Sequence, residues 1–168
     1  MNLLSNEKNF VHVRMGESLV VDNSIQVQIT GLGSCIGLVI YDEQKPITGV
    51  AHIMLPFSPG MHVHKEKRSK YADTALLDLV HDMKRKGASV HRLKAKIAGG
   101  AQMYPLRTAS EDMRIGHRNI RAVKEALKRY SIPLISEDVG GASGRTIRFD
   151  PTTKFLHIKK VHEGAFFI

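Results

Sequence analysis

The chain predicts a single α/β sandwich with a mixed β-sheet and two main helices. Three observations carry this reading. Short β-type patterns come first, helix and strand then alternate twice, and a hairpin closes the order, a succession expected of one layered α/β domain. The 168 residues are enough for one sizeable core. No internal repeat, low-complexity tract or linker divides them, so one domain is expected over 1–168, with its core over about 10–162.

Taken in order, Phe10 to Met15 and Ser18 to Asp22 carry β-type patterns separated by Gly16. Asp22-Asn23-Ser24 reads as a turn, and Ile25 to Ile29 alternates as a half-buried strand. Two β-rich runs follow, Cys35 to Tyr41 and Ile47 to Met54, joined by the turn Asp42-Glu43-Gln44-Lys45-Pro46. Residues 57–70 have few periodic apolar positions and are expected to form a surface loop carrying His62 and His64, either mobile or acting as a lid. Tyr71, Ala75, Leu76, Leu79, Val80 and Met83 recur at helical spacing, and Gly87 supplies a stop. Leu93, Ala95 and Ile97 alternate as a strand running into Gly99-Gly100. A second helix is expected over about Arg118 to Arg129, with Ile120, Val123 and Leu127 on one face. Pro133 to Val139 reads as a strand ending in Gly140-Gly141, and Thr146 to Phe149 with Phe155 to Val161 as a terminal hairpin.

The first long hairpin holds the chemistry. Cys35 is the only cysteine, and His52 follows seventeen residues later. A hairpin centred between Glu43 and Gln44 would pair Cys35 with His52 on one face, with Cβ atoms about 5 Å apart. A one-residue slip would put them on opposite faces. A neighbouring imidazolium lowers a thiol pKa and makes the thiolate available for attack on an acyl carbon. The approach Gly31-Leu32-Gly33-Ser34 lets the backbone turn sharply, so that Gly33, the Ser34 hydroxyl and the Cys35 N–H are candidates for placing an oxyanion. The bland alternative is a small buried cysteine and a hydrogen-bonded strand histidine. A metal site built from Cys35, His52, His62 and His64 matches no standard zinc spacing, so no metal or cofactor is expected.

Composition narrows the setting. A lone cysteine forms no internal disulfide and suits a reducing compartment. No stretch approaches the roughly 18 consecutive apolar residues of a membrane span. MNLLSNEKNF lacks the basic start and apolar segment of a signal peptide, so a cytoplasmic protein without membrane insertion is expected. The net charge of +9 suits docking on an acidic surface. The basic residues are dispersed apart from His64 to Lys70, and no nucleic-acid-binding signature accompanies them, so no nucleic-acid partner is expected.

Gly31-Leu32-Gly33-Ser34-Cys35, Tyr41-Asp42, Gly49-Val50-Ala51-His52 and Met54-Leu55-Pro56 together resemble the CheD family, the chemoreceptor glutamine deamidases of bacterial chemotaxis. The resemblance continues through Lys70-Tyr71-Ala72-Asp73-Thr74-Ala75, Lys96-Ile97-Ala98-Gly99-Gly100-Ala101, Ile115-Gly116-His117-Arg118-Asn119 and Glu137-Asp138-Val139-Gly140-Gly141. Each motif is weak alone, and their order and spacing make the match specific.

That resemblance implies hydrolysis of glutamine side-chain amides on methyl-accepting chemoreceptors, and in some members methyl-ester hydrolysis. It implies Cys35 as nucleophile and His52 as general acid and base. It also implies a sandwich similar to the catalytic domain of cytotoxic necrotizing factor toxins, and the CheC phosphatase as a partner, with Tyr104 at or near an aromatic contact position. Members usually carry a threonine six residues before the cysteine. Ile29 stands there in this chain, and Thr30, next along a strand, points to the other face. Either a bulge brings the Thr30 hydroxyl round, or a backbone carbonyl holds His52, or the enzyme is weakened. The rival readings are a regulatory CheC-binding module without turnover, a binder of acidic surfaces or nucleic acid with a structural cysteine, and a related thiol acyltransferase.

Overall fold

A computed structural model describes residues 10–60, 62–104 and 114–168. Among the described residues ten strands and two α-helices occur in the order β1 (Phe10–His12), β2 (Ser18–Val21), β3 (Gln26–Leu32), β4 (Ile36–Asp42), β5 (Thr48–Ile53), α1 (Ala72–Arg85), β6 (Leu93–Gly99), α2 (Ile115–Arg129), β7 (Leu134–Val139), β8 (Arg145–Phe149), β9 (Leu156–Lys160) and β10 (Gly164–Phe167). They form two five-stranded sheets, ordered β1-β3-β8-β9-β10 and β2-β5-β4-β6-β7. Each sheet is mixed, with one parallel pair, β1 with β3 and β6 with β7. The single mixed sheet expected from sequence is therefore two.

Burial explains the division. One apolar cluster joins α1 and α2 to one face of the second sheet, through Leu76, Leu79, Val123 and Leu127 against Ile36, Leu38, Ile40 and Ile53. Another joins the opposite face of that sheet to the first, through Val39, Tyr41 and Val50 against Ile29, Ile147, Phe149 and Ile158. The layers are helices, sheet, sheet. Strand β4, central in the inner sheet and covered on both sides, is buried at all seven positions. A continuous apolar run rather than alternation is what such a strand requires.

The hairpin turn sits later than expected. Buried Asp42 accepts hydrogen bonds from the Gln44 and Lys45 amides at 2.9 and 3.0 Å, and from the Ser89 amide and the Arg92 guanidinium. Burial alone would raise its pKa; the Arg92, Gln44, Ser89 and Lys45 donors outweigh that and hold the carboxyl well below its usual range. This carboxylate-held turn pairs His52 with Gly37 rather than with Cys35. The shift is two residues, so it leaves every side chain on its expected face.

The 57–70 segment is pinned in its second half. Lys65–Lys70 form a 3-10 turn, Arg68 makes two bonds to Asp78 of α1 at 2.7 and 2.8 Å, and the Lys70 carbonyl accepts from the Met54 and Leu55 amides. His62 and His64 are exposed. Helix α2 begins three residues before its expected start, at Ile115, and β10 lies beyond the expected core boundary. Among the described residues no helix is long and apolar enough to cross a membrane.

Candidate active site

His52 is in β5, opposite Gly37 of β4. A Cβ built at Gly37 would point at Ile147, Leu32 and Ile29, so this face of the hairpin looks into the space between the sheets. His52 shares that face and is buried. Cys35 lies in the bend just before β4, half-buried and packed against the same inter-sheet cluster. The structure thus brings the thiol and the imidazole to one end and one side of the hairpin. They sit diagonally, where backbones on neighbouring strands are about 7–8 Å apart, rather than directly opposed.

The bend is anchored through three successive carbonyls. Gly33 O accepts from the Ala101 N–H at 2.8 Å, Ser34 O from the Asn119 side-chain amide at 2.9 Å, and Cys35 O from the Gly100 N–H at 2.8 Å. The same Asn119 nitrogen donates to Met54 O at 2.9 Å, two residues beyond His52. Asn119 is fully buried in α2 and so ties together the two chain segments that carry the pair. Each such bond contributes about 1 kcal/mol, and a stranded buried carbonyl costs about 1–3 kcal/mol. The Gly99-Gly100 and Gly140-Gly141 turns brace the loop from behind: Gly140 N–H donates to Gly99 O, and Gln102 N–H donates to Gly141 O, both at 2.9 Å.

Two glycines are needed for this close assembly. Gly99 has φ +117°, and a Cβ there would lie 2.2 Å from the Cys35 carbonyl oxygen. A Cβ at Gly116 would lie 2.6 Å from Gly100 O and 2.8 Å from Ala101 O. Without that side chain the first turn of α2 settles on the 100–101 backbone, and Asn119, three residues on and on the same face, reaches Ser34 and Met54.

Burial keeps both candidate reacting groups uncharged. It pushes the Cys35 thiol above its usual pKa. It pulls His52 below its own, against weaker opposing effects of the Val13 backbone and the Glu17 carboxylate. Neither ring nitrogen has a hydrogen-bond partner of good geometry among the described residues. Both shifts favour the uncharged forms, thiol and neutral imidazole.

Thr30 is not brought to the pair. Strand β3 does bulge: Ile29 pairs with Ile147 and Leu32 with Arg145, so three steps on β3 match two on β8. The extra residue lets Ile29 and Leu32 both face inward, while Thr30 and Gly31 stay exposed and the Thr30 hydroxyl accepts from Gln28 Nε2 at 3.2 Å. Ile29 occupies the inward position itself. Ser34 and Gly33 are half-buried in the anchored bend, with Met103 packed over Gly33. Tyr104, one residue further, is 77% exposed. Among the described residues no group of three or more His, Cys, Asp or Glu converges as a metal centre does. In the sequence Asn119 stands only as the last residue of the Ile115-Gly116-His117-Arg118-Asn119 motif, with nothing local to say what it holds.

The family model described as "CheD chemotactic sensory transduction" matches residues 54–160, beginning just past His52. Relatives cover the rest. The protein named "Chemoreceptor glutamine deamidase CheD" of Halalkalibacterium halodurans is 49% identical over 154 residues, 92% of this chain and 95% of that one. Its namesake from Bacillus subtilis is 45% identical over 138 residues, 82% of this chain and 83% of that one. The "Probable chemoreceptor glutamine deamidase CheD" of Oceanobacillus iheyensis is 43% identical over 166 residues, 99% of this chain and the whole of that one. Among solved structures, Bacillus licheniformis hypothetical protein YfiH matches with a TM-score of 0.46 and 14% identity, over 79% of this chain and 59% of that one, too weak a likeness to carry an argument.

Proposed function

The chain belongs to the CheD family, and we propose that it is a cytoplasmic chemoreceptor glutamine deamidase, converting glutamine side chains of methyl-accepting chemoreceptors to glutamate and ammonia. The observation that carries this reading is the placement of the sole cysteine and a buried histidine at one end and on one side of the hairpin, with the cysteine in a bend whose Gly33, Ser34 and Cys35 carbonyls are held from α2 and the 100–101 backbone.

Neutral His52 accepts the Cys35 proton as the sulfur adds to the amide carbon, forming the C–S bond and a tetrahedral oxyanion. The Cys35 backbone N–H, with the Ser34 hydroxyl and the Gly33 turn beside it, receives that oxyanion. The imidazolium returns its proton to the departing nitrogen, the C–N bond breaks, and ammonia leaves a thioester. Neutral His52 then takes a proton from water as hydroxide adds to the thioester, the C–S bond breaks, the imidazolium returns its proton to the sulfur, and the glutamic acid formed loses a proton to solvent. No metal or organic cofactor enters these steps. With Thr30 turned outward, the Val13 backbone and the Glu17 carboxylate, rather than a hydroxyl, are the groups near the His52 ring that favour its charged form.

Likeness of this sandwich to the catalytic domain of cytotoxic necrotizing factor toxins rests on the family resemblance alone. A second reading, a regulatory partner of a CheC-type phosphatase with weak turnover, draws support from Ile29 in the inward position and from exposed Tyr104. Ammonia release, with a gain of about one dalton per site, from a cognate receptor cytoplasmic fragment separates the two. We expect turnover by the wild type and a loss of at least about a hundredfold in Cys35→Ala and in His52→Ala. No turnover by a folded wild type would leave the regulatory reading.

A further inference from the structure

We propose that Asn119 is a positioning residue of the deamidase, and that it aims the oxyanion-binding N–H of Cys35. The inference rests on the Cys35–His52 reading and adds a residue from a different element to it.

A trans peptide is planar, and its C=O and N–H point in opposite directions. Whatever grips the Ser34 carbonyl therefore sets the direction of the Cys35 N–H. Asn119 Nδ2 grips that carbonyl at 2.9 Å from the α2 side. The Cys35 N–H is consequently turned away from α2. The same nitrogen holds Met54 O at 2.9 Å, just past His52, so one buried side chain locks the peptide that donates to the oxyanion and the strand end that carries the base to a common frame.

The amide orientation is not arbitrary. Two carbonyl oxygens face one end of the side chain, and only the NH₂ end has donors for them. The other end, Oδ1, is buried with no partner among the described residues. Both donors are thus committed to the Cys35 bend and the end of the His52 strand, and to nothing else. Closely seated α2, through Gly116 on the 100–101 backbone, makes the grip rigid.

The test measures kcat and KM for glutamine deamidation in a purified cognate receptor fragment, for wild type, Asn119→Ala and the isosteric Asn119→Asp. Val123→Ala serves as a control, since it removes core packing from the same helix one turn beyond Asn119 and holds no loop carbonyl. Cys35→Ala runs alongside. Because Cys35 is the sole cysteine, the pH dependence of iodoacetamide alkylation reports its ionisation alone. We expect kcat to fall at least about tenfold in both Asn119 variants with KM within about twofold. Alkylation needs no oxyanion site and should keep its pH profile, and Val123→Ala should stay within about threefold of wild type at a matching loss of melting temperature. A kcat loss no larger than that of Val123→Ala, or a rise in KM at unchanged kcat, overturns the proposal. Failure of both Asn119 variants to fold assigns the residue to the fold alone and also overturns it. Retained turnover in Cys35→Ala would instead sink the underlying thiol mechanism, whatever Asn119 does.

Discussion

Burial acts on Cys35 and His52 to the same end, disfavouring the charged form of each. This sets the pH behaviour. Catalysis that starts from a neutral imidazole should gain kcat as pH rises through a pKa below the ordinary histidine value of about 6.5. An acid limb of the ammonia-release profile centred above about pH 7 would contradict it. Stability carries the same sign. The folded state prefers neutral His52 more than the unfolded chain does, so the contribution is complete above about pH 6.5 and declines as pH falls below it. Thr30 gives a sharper test. Among the described residues its hydroxyl bonds only the side chain of half-buried Gln28, so Thr30→Val should keep deamidation within about twofold and stability within about 0.5 kcal/mol, read by ammonia release and thermal melting.

Elements, more than individual side chains, determine where the thiol sits. The bulge in β3 turns Ile29 and Leu32 inward together, the Asp42-held turn sets the hairpin register, and α2 closes over the bend through Gly116 and Asn119. Gly99 is the point at which β6 meets this assembly. At φ +117° and with no room beside Cys35 O, Gly99→Ala is expected to cost about 2 kcal/mol or more. The displaced Cys35 carbonyl should lower deamidation further than the fall in folded population accounts for, which parallel melting curves and turnover would show. An equal loss of both would leave Gly99 a matter of stability alone.

Across the whole molecule, the helix layer, inner sheet and outer sheet leave the site at one end of the inner sheet, beside the Gly140-Gly141 turn where buried Arg145 bonds Asp138 and the Gly140 carbonyl. Arg145 belongs to the outer sheet and Asp138 to the inner, so this contact ties the sheets together near the reacting end. The net charge of +9 favours encounter with an acidic partner surface. Raising salt from about 50 to about 300 mM is expected to raise KM several-fold while leaving kcat nearly unchanged. A salt-independent KM would detach the charge from substrate docking.

The sequence by itself determined the α/β class, both helices, nine of the ten strands among the described residues and the β4–β5 hairpin, though not its register, because each rests on local periodicity or turn chemistry. It missed β10, whose Gly164-Ala165-Phe166-Phe167 run is exposed throughout and so carries no burial pattern. Only the tertiary structure decided that there are two sheets. A run such as Ile36 to Asp42 shows that both faces are covered, without showing by what. It also decided the two-residue register shift, made by the Asp42 carboxylate, and the outward turn of Thr30, made by where the bulge falls. The role of Asn119, though the residue ends one of the family motifs, was beyond reach: its two acceptors lie 85 and 65 residues away along the chain, and hydrogen bonds across such spans leave no pattern in the residues around the donor.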